Sequence, residues 1–186
     1  AEGINSTAVG TSAQALANYS SSYGTLANAS GLASMAFGAG SIANATGAIT
    51  LGVNSTASGA NSSAFGTEAI ASEEDAIAMG YLANASGIDS IAIGRSSIAS
   101  AKNSTAIGTE AKASEVNSSA YGDSSTASGS NSAAFGFKST ASGGDSTSIG
   151  KASSATQQGA TALGHLAHAT GVRSTALGTG SKANAS

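Results

Sequence analysis

The 186-residue sequence contains no Cys, no Pro and no Trp. Without Cys there is no disulfide framework, no thiolate zinc site and no cysteine nucleophile. Charge is sparse: only 9% of residues are charged, against about 25% in an ordinary soluble domain. The net charge is −3 and the seven Lys/Arg are scattered along the chain. No basic stripe is therefore offered to nucleic acid. No apolar run approaches the ~18 residues that span a bilayer, which predicts no membrane contact by this segment. The N-terminus Ala1-Glu2-Gly3 has no signal-peptide pattern. Large apolar side chains are scarce too. The 8 Leu, 11 Ile, 4 Val and 4 Phe make 27 residues, about 15% of the chain and below the ~20% at which a globular core becomes doubtful. A net charge close to zero argues against disorder of the highly charged kind. What remains is a low-complexity repeat.

The repeat is explicit. Gly stands at Gly10, Gly24, Gly38, Gly52, Gly66, Gly80, Gly94, Gly108, Gly122, Gly136, Gly150, Gly164 and Gly178, a spacing of fourteen without insertion or deletion. The residue before each is large and apolar: Val9, Tyr23, Phe37, Leu51, Phe65, Met79, Ile93, Ile107, Tyr121, Phe135, Ile149, Leu163 and Leu177. Five after each Gly stands Ala, from Ala15 to Ala183, and three after it only Ala or Ser. Four before it there is Ser ten times, with Ala48, Ala76 and Ala160 as the exceptions.

Fourteen is also two heptads, but a coiled coil needs about four large a/d residues per fourteen. Most repeats here supply one or two, and each carries glycine that costs about 1 kcal/mol inside a helix. Strands fit better. In Asn103-Ser104-Thr105-Ala106-Ile107-Gly108, alternation sends Asn103, Thr105 and Ile107 to one face and Ser104 and Ala106 to the other. Glu110-Ala111-Lys112-Ala113-Ser114 alternates small with polar. Turns are expected at Gly108-Thr109 and near Glu115 and Ser130. Each unit is then one coil of a β-solenoid, stacked in parallel about 4.8 Å from the next, and the whole is expected to form a rod of roughly 58 Å.

The lumen of such a coil holds only Ser104, Ala106, Ala111, Ala113 and their equivalents. The large residues point away from it and would form a continuous apolar stripe on a lone chain. At ~2 kcal/mol per side chain the stripe offers on the order of 25 kcal/mol on burial, an upper estimate. An obligate homo-oligomer with its stripes meeting on a common axis is expected, and closed cyclic symmetry suits parallel coils. Periodicity leaves two or three chains open.

Asn5-Ser6-Thr7-Ala8-Val9-Gly10, Asn61-Ser62-Ser63-Ala64-Phe65-Gly66 and Asn103-Ser104-Thr105-Ala106-Ile107-Gly108 resemble the N-S-x-A-φ-G repeat of YadA-like heads, the head domains of trimeric autotransporter adhesins. The match covers essentially the whole chain. It implies a left-handed parallel β-roll, a homotrimer, and adhesion to host extracellular matrix or cell-surface molecules. The implied location is the surface of a Gram-negative bacterium, outer-membrane anchored through segments not present here. On this resemblance, residues 1–186 are one repeat domain, a fragment of a larger surface protein, and the thirteen residues before the glycines line the trimer interface. The third motif residue is often Val in the family, whereas eight of the thirteen repeats have Thr or Ser there.

Other signals have plain readings. Gly38-Ala39-Gly40-Ser41-Ile42-Ala43 and Gly178-Thr179-Gly180-Ser181-Lys182-Ala183 match G-x-G-x-x-A, but both lie in phase with the repeat and lack a βαβ context. The ten N-x-S/T sequons, including Asn5, Asn54, Asn103 and Asn117, follow from a repeat rich in Asn and Ser. His165 and His168 are three apart and face opposite sides of a strand, so one chain does not chelate a metal with both. Glu73-Glu74-Asp75 reads as a solvated corner. Arg95, Lys151 and His165 follow an anchor Gly directly and are candidates for holding anions beside the interface. No cofactor, metal or catalytic residue is predicted. Two other functions compete. An ice-binding solenoid uses Thr-x-Thr ladders, which do not recur here. A carbohydrate-binding or carbohydrate-active solenoid enzyme needs paired carboxylates ~5–10 Å apart, usually on inserted loops, and no loop breaks this register.

Overall fold

The structure, a computed structural model, describes residues 1–184. The last two residues of the expected repeat domain, 185 and 186, lie outside the described residues. All regular structure among the described residues is β: thirteen strands of three residues alternate along the chain with thirteen of two. The fold is a parallel β-solenoid of fourteen-residue coils, as the periodicity predicts.

The chain divides into two compact units, residues 1–96 and 97–186. In the first, seven three-residue strands run from Thr7–Val9 to Ile91–Ile93, with six two-residue strands from Gln14–Ala15 to Asn84–Ala85 between them. In the second, seven two-residue strands run from Ile98–Ala99 to Lys182–Ala183, alternating with six three-residue strands from Thr105–Ile107 to Thr175–Leu177. Every strand pairs in parallel with its equivalent one coil away. Thr7 lies opposite Ser21 and Val9 opposite Tyr23 in the first sheet, while Gln14 lies opposite Asn28 in the second. The second unit repeats this, with Thr105 opposite Ser119, Ile107 opposite Tyr121 and Lys112 opposite Thr126.

The strands are shorter than alternation alone predicts, because each coil turns twice through a left-handed residue. Asn103 is one such residue (φ 56), so it stands in a turn and not on the face of Thr105 and Ile107. Glu110 (φ 57) makes the opposite turn of the same coil. Even residues with large or branched-γ side chains adopt it, among them Tyr19 (φ 61), Leu26 (φ 60) and Leu166 (φ 57). Such a conformation costs about 1–2 kcal/mol per residue. Coil-to-coil hydrogen bonds offset it: Tyr19 N–H donates to Ile4 O at 2.8 Å and Leu26 N–H to Thr11 O at 2.9 Å. Turns are thus laddered like strands, which satisfies backbone groups that would otherwise need water.

The anchor glycines have a separate reason. Gly136 has φ 131, and a Cβ there would meet the carbonyl oxygen of Gly150 in the next coil at 2.6 Å. Along the glycine column successive backbones approach too closely for a side chain.

The core is the lumen, and its residues are those that alternation selects. Ser104, Ala106, Ala111 and Ala113 are all fully buried. The largest fully buried side chain among the described residues is Thr50, so nothing bulkier than Thr fits between the sheets. Several buried hydroxyls pair with nearby backbone, whereas those of Ser34, Ser62 and Ser146 have no partner. Ser41 donates to Gly38 O at 2.8 Å and Ser125 to Gly122 O at 2.8 Å. Ser104 accepts from Ala101 N–H at 3.2 Å. Ser therefore substitutes for Ala in the lumen with its hydroxyl oxygen hydrogen-bonded in these coils.

Candidate functional site

A small-residue lumen pushes bulky side chains outward, and the first sheet carries one of them in every coil. In the first unit its outward face carries Val9, Tyr23, Phe37, Leu51, Phe65, Met79 and Ile93, one per coil and directly above one another. Beside them stand Met35, Ile49, Ile77 and Ile91. In the second unit the column is Ile107, Tyr121, Phe135, Ile149, Leu163 and Leu177, flanked by Thr and Ser with Ala133. These columns remain open to water in the single chain: Val9 is 53% exposed, Leu51 57% and Leu177 70%. Phe37, Phe65, Ile93, Ile107 and Tyr121 are half-buried by their coil neighbours.

Parallel in-register stacking places like on like. The rings of Tyr23 and Phe37 stack at 4.7 Å between centroids and 6° between planes, and those of Tyr121 and Phe135 at 4.9 Å and 6°. Aromatic pairs of this kind contribute about 0.5–1.5 kcal/mol beyond area burial.

The opposite side of the lumen is different in kind. The second sheet faces outward with Thr56, Asn84, Lys112, Thr126, Thr140, Ser154 and other mostly polar side chains, interrupted in the first unit by Ile42 and Ile70, both about two-fifths exposed. One rim of the second unit carries an amide ladder. Asn103 Nδ2 donates to Asn117 Oδ1 at 3.0 Å, Asn117 Nδ2 to Asn131 Oδ1 at 2.9 Å, and Asn131 Nδ2 to Asp145 Oδ1 at 3.0 Å. Sequence reading found the Asn residues but not the ladder, which depends on the left-handed turn that stacks them.

Of the remaining candidates, Lys151 and His165 stand at equivalent positions of successive coils. Arg95 belongs to the first unit, and Lys151 and His165 to the second, all three exposed. Lys151 Nζ lies 5.9 Å from the ring centroid of Phe137. His165 is at a turn and His168 on the outward face of the second sheet. Glu73, Glu74 and Asp75 are exposed at a turn. Among the described residues no group of three His, Asp or Glu comes together as metal ligands would. The two G-x-G-x-x-A segments lie within the stacked coils, each running through a turn into a two-residue strand.

The comparisons with known proteins agree with this architecture. The family model described as "YadA head domain repeat (2 copies)" matches residues 1–27, 29–55, 48–69, 71–97, 85–111, 99–125, 113–139, 127–153, 141–167, 155–181 and 169–186. The chain belongs to the YadA head family. Among solved structures, the YadA-like solenoid is similar to the crystal structure of the collagen-binding domain of the Yersinia adhesin YadA. Identity is 30%, the alignment covers 75% of this chain and 70% of that one, and the TM-score is 0.53. No curated protein matches the chain. Membership of this family gives the protein a role of the adhesin type.

Proposed function

We propose that this YadA-like head attaches the outside of a Gram-negative cell to host matrix or host cell-surface molecules, as a homotrimer and without chemistry of its own. The observation that carries the reading is the apolar column on the first sheet. Val9, Leu51, Phe135 and Leu177 stand more than a third exposed in one chain, in a column with one large apolar side chain in every coil. Three copies meeting through that face bury it, and the polar second sheets then face outward to a ligand. Repetition of the same small polar groups coil after coil allows weak contacts to add through multivalency. The relative's collagen binding makes collagen the first ligand to test.

Sedimentation equilibrium of the purified chain, followed by a solid-phase panel of collagen, laminin and fibronectin, tests both parts. A trimer that binds at least one matrix protein is the expected result. A folded monomer, or a trimer that binds none of these and no host cells, overturns the reading.

A further inference from the structure

Charge along the chain is not evenly spread. Residues 1–96 hold six of the ten acids and one of the seven Lys/Arg, a net −5. Residues 97–186 hold four acids and six Lys/Arg, a net +2. The bias sharpens within the second unit. Between Ser124 and Asn184 stand Lys138, Lys151, Arg173 and Lys182 against a single acid, Asp145. That carboxylate sits at a turn and accepts a hydrogen bond from Asn131 at 3.0 Å.

This stretch also builds one continuous hydroxyl-rich surface. On the outward face of the second sheet, Thr126, Thr140, Ser154, His168 and Lys182 lie in register, one per coil. Each is followed two residues later by Ser, Thr or Asn. No acid stands on these strands. The face ends in a concavity lined by His168, Thr170, Lys182 and Asn184, whose rim is fixed by a hydrogen bond from Thr170 Oγ1 to Asn184 Oδ1 at 3.0 Å. At the turn leading into the same sheet, two ammonium groups converge on one exposed ring: Lys138 Nζ is 5.1 Å and Lys151 Nζ 5.9 Å from the centroid of Phe137. The nearest acid in that column, Asp123, accepts a hydrogen bond from Ser124 Oγ at 2.7 Å.

We infer that this face of the second unit docks an anionic polysaccharide, a chain of sugar hydroxyls carrying sulfate or carboxylate groups. The hydroxyls of Thr126, Thr140 and Ser154 match sugar hydroxyls, Phe137 offers an apolar plate for a sugar ring, and Lys138, Lys151 and Lys182 meet the anionic groups. Duplex DNA fits less well. Its backbone has no free hydroxyls to meet Thr126, Thr140 and Ser154, and its bases are stacked away from Phe137. The strands bearing Thr126, Thr140, Ser154 and Lys182 lie across the lumen from the apolar column, so an assembly formed through that column leaves them open; Phe137, Lys138 and Lys151 stand at the turns between the two sheets. The inference is independent of collagen binding.

The assembled chain, its K138Q/K182Q variant and a K102Q control are passed over surfaces bearing heparin, neutral dextran and duplex DNA across a salt series. The expected result is retention on heparin but not dextran, weaker retention on DNA, and a slope of log affinity against log salt that falls by about 2 in K138Q/K182Q. K102Q shifts that slope by less than 1. Equal heparin retention by the double variant and the parent overturns the proposal, as does retention on DNA as strong as on heparin. Collagen binding by K138Q/K182Q at the parent level keeps this site distinct from the attachment reading.

Discussion

Single positions in this fold carry opposite demands that the same amino acid cannot meet. Gly136 combines φ 131 with a carbonyl oxygen 2.6 Å from where a Cβ would lie, so Gly136→Ala strains the backbone and pushes two coils apart. A loss of about 2 kcal/mol is expected, read as a fall of about 5 °C in melting temperature. Ala152 is the converse case. It is held at φ 54 despite its Cβ, and Ala152→Gly relieves that cost; a gain of about 0.5 kcal/mol in denaturant titration is expected after the unfolded-state entropy is subtracted. Thr50 is a third kind. It is fully buried in the lumen and its Oγ1 has no hydrogen-bond partner, where most other coils use Ala. An unmet buried hydroxyl costs about 1–3 kcal/mol, more than the ~0.8 kcal/mol of one buried methyl. Thr50→Ala therefore raises the melting temperature, and a fall would show that the methyl dominates.

At the scale of the element, strands of two and three residues have no independent stability and exist because a neighbour lies on each side. Their register is enforced by the lumen, which admits Ala, Ser and one Thr. Ala120→Leu has no room between the sheets, and loss of the folded β signal in circular dichroism over the surrounding coils is the expected outcome. The lumen was fully legible in the sequence: the alternation of Ser104, Ala106, Ala111 and Ala113 names the residues that are buried. The turns were not. Extended alternation placed Asn103 beside Thr105, whereas its φ of 56 takes it out of the strand. A signal was available, since Asn or Asp recurs at Asn61, Asp75, Asp89, Asn103, Asn117, Asn131 and Asp145, and these residues tolerate the left-handed region best after Gly. Tyr19, Leu26 and Leu166 in the same conformation gave no such signal, because ladder bonds to neighbouring coils hold them there.

For the whole molecule, the question is what covers the apolar columns. The first unit adds Met35, Ile49, Ile77 and Ile91 to its column, whereas the second flanks its own mainly with Thr and Ser. Under the trimer proposal, Ile91→Asp places a charge in a wholly aliphatic layer and Thr161→Asp in a partly polar one. Sedimentation equilibrium is expected to show a larger loss of assembly for Ile91→Asp, by at least tenfold in the association constant. Equal losses would mean that the two units contribute alike. The uneven distribution of charge belongs to this scale as well. The seven Lys/Arg look scattered along the chain, yet six fall in one unit, and the coil brings residues fourteen apart to within one strand spacing.

The sequence by itself determined the coil length, the two strands per coil, the small-residue lumen and the outward direction of the bulky side chains. These follow from side-chain size and period, which are local properties of the chain. Only the tertiary structure decided the left-handed turns, the amide ladder ending at Asp145, and the convergence of Lys138 and Lys151 on Phe137. Those depend on where backbone carbonyls and long side-chain tips from adjacent coils arrive, and such positions are fixed by stacking rather than by the spacing of residues along one coil.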